Sequence, residues 1–141
     1  LELARELGAD EGMRPDSDDV VARMLAHTAG RGADVAFEVV GIAPTLQLAM
    51  ACLRKGGSLG LVGNIAPQAE FPLQTAVLRE LTLYGSCASR GEYPACLDMM
   101  ARGAVDVAPL ISAVAPLAEG AGWFRRLYDK EPGLMKVILT P

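Results

Sequence analysis

The chain has 141 residues, 51% of them hydrophobic and 9 of them proline, so it is long and apolar enough to bury a core without disulfides and is not of disordered composition. Its 13 Lys and Arg against 17 Asp and Glu leave a net charge of −4, and no basic cluster exceeds Arg125-Arg126, so no nucleic acid partner is expected. The longest apolar run, near Leu46 to Leu53, is interrupted by Gln47 and falls well short of the roughly 20 residues a membrane helix needs, so no membrane partner is expected either.

In chain order, Leu3, Ala4 and Leu7 share one face of a first helix that Gly8 terminates. No Ser, Thr, Asp or Asn precedes Leu1 and there is no initiating Met, so this helix is expected to be cut into rather than started. A short extended stretch, Ala9 to Arg14, follows. Pro15 and the acidic run Asp16-Ser17-Asp18-Asp19 then open a second helix, with Val20, Val21, Met24, Leu25 and Thr28 on its apolar side and Gly30 at its end. The β-branched run ADVAFEVVG, closed by Gly41, has the texture of a parallel strand covered on both faces.

Helix and strand then recur. Leu46, Ala49, Met50 and Leu53 fall at i, i+3, i+4 and i+7 of a helix from about Pro44 to Arg54, which Gly56-Gly57 stops before the strand SLGLVG. A loop from Asn64, a short helix near Thr75 to Arg79, and the strand LTLYGSC from Leu81 make a third unit. A helix from about Glu92 to Arg102 is expected to turn Tyr93, Cys96, Leu97 and Met100 inward. Beyond Ala108 come an extended PLISAVAPL, a helix with Ala121, Phe124 and Tyr128 on one side, and a final short strand, MKVILTP. Strands alternating with helices over short connections indicate an α/β fold with a doubly wound parallel sheet, and the tail need not share that sheet.

The segments LELARELGAD, GRGADVAFEVVG, LRKGGSLGLVGN, ELTLYGSCAS and PLISAVAPLAEGAGWFRRL with MKVILTP, in this order and spacing, resemble the C-terminal part of the medium-chain, zinc-dependent alcohol and polyol dehydrogenases, above all the sorbitol and threonine dehydrogenase branch. The resemblance implies a partial Rossmann domain over residues 1–107 and, over 108–141, a segment returning to a catalytic domain that lies upstream. It also implies that the Gly-rich phosphate turn and the acidic ribose-binding residue precede Leu1, together with the zinc ligands.

By the same resemblance the cofactor is NAD or NADP. Val39, Val40, Gly41 and Ile42 would lie beside its adenine and ribose. Val62, Gly63 and Asn64 would lie against the nicotinamide, with Ser86, Cys87 and Ala88 completing the carboxamide pocket. Lys136 stands where many relatives carry Arg facing the pyrophosphate. The substrate implied for the intact enzyme is a small alcohol or polyol, oxidised at a secondary alcohol carbon. A homo-oligomer joined edge to edge near Leu81 to Ser86 is expected, and the 141 residues alone are expected to be inactive and to bind NAD weakly.

No catalytic residue is assigned within the chain. His27, its single histidine, is expected on a solvated helix face, and Arg125 and Arg126 on another with their stems buried. Glu38, inside an apolar strand, is expected to be satisfied by neighbours or backbone rather than to act as a base. Cys52, Cys87 and Cys96 are odd in number and not spaced as metal ligands, so zinc is not expected here and a reducing, cytoplasmic setting is. Two other readings stay open, a zinc-free quinone or enoyl reductase of the same superfamily and an inactive nucleotide-fold fragment or interaction module; a nucleoside-cofactor methyltransferase is a third, against which the C-terminal tail argues.

Overall fold

The computed structural model describes residues 1–141, which divide into two compact units, Glu11–Arg90 and Leu1–Asp10 with Gly91–Pro141. In the first, Asp19 starts helix α2 (Val20–His27) by accepting the Ala22 N–H at 3.0 Å, and Gly30, at φ +81°, closes the turn behind it. β1 (Ala33–Glu38), α3 (Ala43–Cys52), β2 (Leu53–Leu61), α4 (Leu73–Leu78) and β3 (Thr82–Gly85) follow in turn. α1 (Glu2–Glu6) belongs to the other unit. The three strands pair in the order β1-β2-β3 and all run parallel, as the strand–helix alternation requires.

The core of this unit lies on one face of the sheet. Leu46 and Met50 of α3 pack on Leu53 and Leu59 of β2, with Ala36, Leu61, Ala76, Leu81 and Leu83 around them. Met50, Leu53 and Leu59 are completely buried. The opposite face is bare, which corrects the expectation of a strand covered on both sides. Phe37 is 71% exposed, and Val35 and Tyr84 are exposed with it. Phe37, Gly60 and Tyr84 are neighbours in register across the three strands, so they form one row on that face. A Cβ on Gly60 would lie 2.7 Å from the Phe37 ring, so the missing side chain is what lets the ring lie over β2.

Several boundaries move. β1 ends at Glu38, leaving Val39–Gly41 as a turn, and β3 is shorter than its apolar run. The α3 helix stops at Cys52, because Leu53 already pairs with Ala33. Gly56-Gly57 is therefore not a helix stop. It lies within β2 at a register irregularity, where Val35 pairs with Ser58, and Gly56 takes φ +69° and donates its N–H to the Arg79 carbonyl at 2.8 Å. α4 begins two residues earlier than its sequence suggested, at Leu73.

The second unit holds α1, α5 (Tyr93–Ala101), β4 (Ile111–Pro116), α6 (Gly120–Tyr128) and β5 (Lys136–Thr140). The tail does form a separate sheet, in which β5 pairs with β4 in parallel. Of the extended PLISAVAPL, Ala108–Leu110 is a 3-10 turn and only Ile111–Pro116 is strand. No residue of α5 is buried: Tyr93, Cys96, Leu97 and Met100 are exposed, contrary to the expected inward face. Helical period decides which side chains share a face, and burial needs an opposing surface as well. Phe124 and Tyr128 are exposed in the same way. On α6, Arg126 stacks over the Trp123 ring at 4.0 Å and grips Glu131 through two bonds of 2.7 Å.

Candidate functional site

The loops that leave β1, β2 and β3 emerge side by side at the carboxyl edge of a parallel sheet, where open α/β sheets place their ligands. The first carries Val39, Val40, Gly41 and Ile42, the second Val62, Gly63 and Asn64, the third Ser86, Cys87 and Ala88. The second and third enclose an open cleft of about 490 Å³ lined by Leu61, Val62, Gly63, Asn64, Gly85, Ser86, Cys87 and Ala88. Leu61 and Gly85 are additions to the residues read from sequence. Their positions as the last residues of paired strands are the signal that marks them.

The first loop joins the second through bare backbone. A Cβ on Gly41 would fall 2.3 Å from the Asn64 nitrogen, and one on Gly63 would fall 2.1 Å from the Gly41 nitrogen, so neither position admits a side chain. Gly41 also takes φ +86°. Ala66 donates its N–H to the Gly41 carbonyl at 2.9 Å and Ile65 to that of Val40 at 3.3 Å, which ties the two loops over further residues. The third loop is tied to the second strand by the Ser86 N–H on the Leu61 carbonyl at 2.9 Å.

Beneath this junction sits Glu38, 4% exposed and bonded by its neighbours and the backbone as expected. Its Oε1 accepts the N–H groups of Val40 and Gly41, each at 2.9 Å, and the Thr45 hydroxyl at 2.7 Å. Burial alone would raise its pKa. The Thr45 hydroxyl and the Gly41 and Val40 N–H groups outweigh that and hold it below the ordinary glutamate value. A carboxylate committed in this way is not free to act as a base.

The remaining candidates lie elsewhere. Lys136, exposed at the start of β5, belongs to the other unit. His27 is exposed on α2, and its Nε2 meets the Glu11 carboxylate, which also pairs with Arg23. No three His, Cys, Asp or Glu side chains gather as a group that could hold a metal ion. No helix is long and apolar enough to cross a membrane.

Residues 1–102 match the family model of the zinc-binding dehydrogenases, and the chain belongs to that family. It is 36% identical over 117 residues to an L-idonate 5-dehydrogenase from Vitis vinifera, covering 79% of this chain and 32% of that protein. It is 30% identical over 143 residues to a sorbitol dehydrogenase from Bacillus subtilis, covering all of this chain and 40% of that protein. Among solved structures, the 2R,3R-butanediol dehydrogenase of Bacillus subtilis superposes with a TM-score of 0.88 at 31% identity, over 99% of this chain and 40% of that one. A zinc-binding dehydrogenase from Sinorhizobium meliloti 1021 bound to NADP superposes with a TM-score of 0.82 at 27% identity, over 99% and 42%. The fold is therefore Rossmann-type α/β, and the relatives are dehydrogenases. The chain spans about a third to two-fifths of the length of the curated relatives it matches.

Proposed function

We propose that this chain is the cofactor-side portion of an NAD- or NADP-dependent alcohol or polyol dehydrogenase, with residues 1–107 as part of its nucleotide-binding domain and 108–141 as a segment that returns to the catalytic domain. One observation carries the reading above all: three adjacent parallel strands end in loops whose glycine backbones and open cleft lie at the ligand-binding edge of the sheet. A cleft of this volume is within the range of about 300–1,000 Å³ usual for small-molecule sites. Its mixture of main-chain groups with Val62, Asn64 and Ser86 suits a flat ring bearing a carboxamide.

When bound, the nicotinamide supplies the acceptor for hydride from a secondary alcohol carbon. The chain's part is to hold and orient. Val62, Gly63 and Asn64 would line one side of the ring, Ser86, Cys87 and Ala88 would bracket its carboxamide, and Val39–Ile42 would border the adenosine half. Fixing the ring in one orientation selects which face meets the substrate. Lys136 is kept as a pyrophosphate contact on its sequence position alone. Zinc, which the family name implies, would draw its ligands from residues outside this chain, and no step here depends on it.

The test is the polypeptide that carries these residues together with its upstream sequence, assayed with sorbitol, L-idonate and 2,3-butanediol for reduction of NAD and of NADP. Turnover of at least one with either cofactor is expected. Reduction of a quinone or enoyl substrate in place of alcohol oxidation would overturn the polyol assignment. Sedimentation equilibrium of the same protein tests the proposed self-association through the Leu81 to Ser86 edge.

A further inference from the structure

Glu38 holds both sides of the junction at once. Its carboxylate binds the first loop, through the N–H groups of Val40 and Gly41 and the Thr45 hydroxyl at the start of α3. Its main-chain carbonyl binds the second loop, accepting the Val62 N–H at 2.9 Å and the Gly63 N–H at 3.0 Å. Gly41 and Gly63 touch backbone to backbone, so no flexible side chain stands between the loops to absorb a displacement. A shift of Gly41 is therefore passed on to Gly63 and Asn64, which line the cleft.

We propose that Glu38 is a positioning residue: its carboxylate locks the turn Val39–Ile42 and, through Gly41 against Gly63, fixes the shape of the cleft that receives the nicotinamide dinucleotide. This rests on the assignment of that cleft to the cofactor. Glu38 itself is covered by the loops, so it acts through them and not by contact with the ligand. A cap confined to its own turn would protect Val40 and Gly41 only. A positioning residue also governs Val62 and Gly63, although the acceptor of their N–H groups is main chain and survives any substitution.

The experiment compares the 141-residue chain with Glu38→Ala, Glu38→Gln and Thr45→Val by residue-resolved amide hydrogen exchange, and the same variants of the polypeptide that also carries the upstream sequence by NADH titration followed through amide shifts. In Glu38→Ala, exchange at Val62 and Gly63 is expected to quicken about tenfold or more along with Val40 and Gly41, while Leu59 and Leu83 keep wild-type protection. Thr45→Val, which removes one of the carboxylate's bonds, along with the hydroxyl's contact to the Ile42 carbonyl, and leaves the carboxylate in place, is expected to show a smaller effect of the same pattern, and it serves together with Glu38→Gln should Glu38→Ala fail to fold. NADH affinity is expected to drop about tenfold in Glu38→Gln. Unchanged exchange at Val62 and Gly63 overturns the coupling, and wild-type affinity in the Glu38 variants overturns its role in binding. If wild-type amides at 62–64 and 86–88 do not respond to NADH at all, the cofactor assignment and the binding role fall together, and the exchange rates still decide the coupling.

Discussion

Gly41 and Gly63 meet back to back: a Cβ built on Gly63 would lie 2.1 Å from the Gly41 nitrogen, and one built on Gly41 would lie 2.4 Å from the Gly63 carbonyl carbon. Both obstacles are backbone, which cannot rotate aside as a side chain can. Gly41→Ala and Gly63→Ala are each expected to destabilise the chain by about 3 kcal/mol or more, Gly41→Ala carrying the added strain of its positive φ. Gly85→Ala meets nothing within 4 Å and is expected to stay within about 0.5 kcal/mol of wild type. Urea midpoints of the three variants check the contrast, and equal losses in all three would contradict it.

Acid stability follows from Glu38. Its pKa in the folded chain lies below the ordinary value, so its stabilising contribution is complete at neutral pH, above the pKa it has when unfolded, and is lost as the pH falls through the folded value. Melting temperatures measured for wild type and Glu38→Gln are expected to differ most near pH 7 and to converge as the pH falls through the lowered folded value of Glu38. A gap that is constant over this range would assign the loss to packing instead of charge.

Arg79 caps the end of α3 from a distance in sequence. Its guanidinium donates to the Ala51 carbonyl at 3.1 Å and to that of Met50 at 3.4 Å in the last turn, and to that of Leu53 just beyond it; the Met50 carbonyl also accepts the Leu53 N–H. Arg79→Met is expected to cost about 2 kcal/mol. Burial pushes up the pKa of the nearby Cys52 thiol, with the Arg79 cation opposing it, so Cys52 is expected to alkylate far more slowly than the exposed Cys87 and Cys96. Fraying of the helix end in Arg79→Met should bring Cys52 labelling closer to theirs, as mass spectrometry of timed samples would reveal.

The bare row Phe37, Gly60, Tyr84 leaves an apolar strip open to solvent. The full chain is expected to enhance the fluorescence of an anilinonaphthalene sulfonate dye, and Phe37→Ser to lower that enhancement by about half with less than about 1 kcal/mol change in stability. An unchanged dye signal would place the binding surface elsewhere.

Element order and the parallel sheet were legible because strand and helix periods alternate cleanly from Val20 to Gly85. The loop residues of the candidate site were legible through resemblance, and their meeting at one edge follows from the topology. Residue type does not distinguish Gly63 from Gly85, both small residues at strand ends, whereas Gly63 is enforced by the opposing backbone and Gly85 is not. Glu38 was readable as satisfied, yet its grip on the second loop runs through a main-chain carbonyl, which leaves no trace in residue type. The α5 face failed for a related reason: its period is genuine, and what lies opposite a helix is not written in the helix.

The pairing of β4 with β5 around α6 confines a complete strand–helix–strand ladder to residues 111–140. Each of its rungs joins residues 24 or 25 apart in sequence, so closing it costs less entropy than pairing more distant segments would. The same economy makes it fragile, because a two-stranded ladder has no third strand to fall back on. Clipping the chain before Lys136 would strip β4 of all its partners at once, so the last six residues are a clasp and not an ornament.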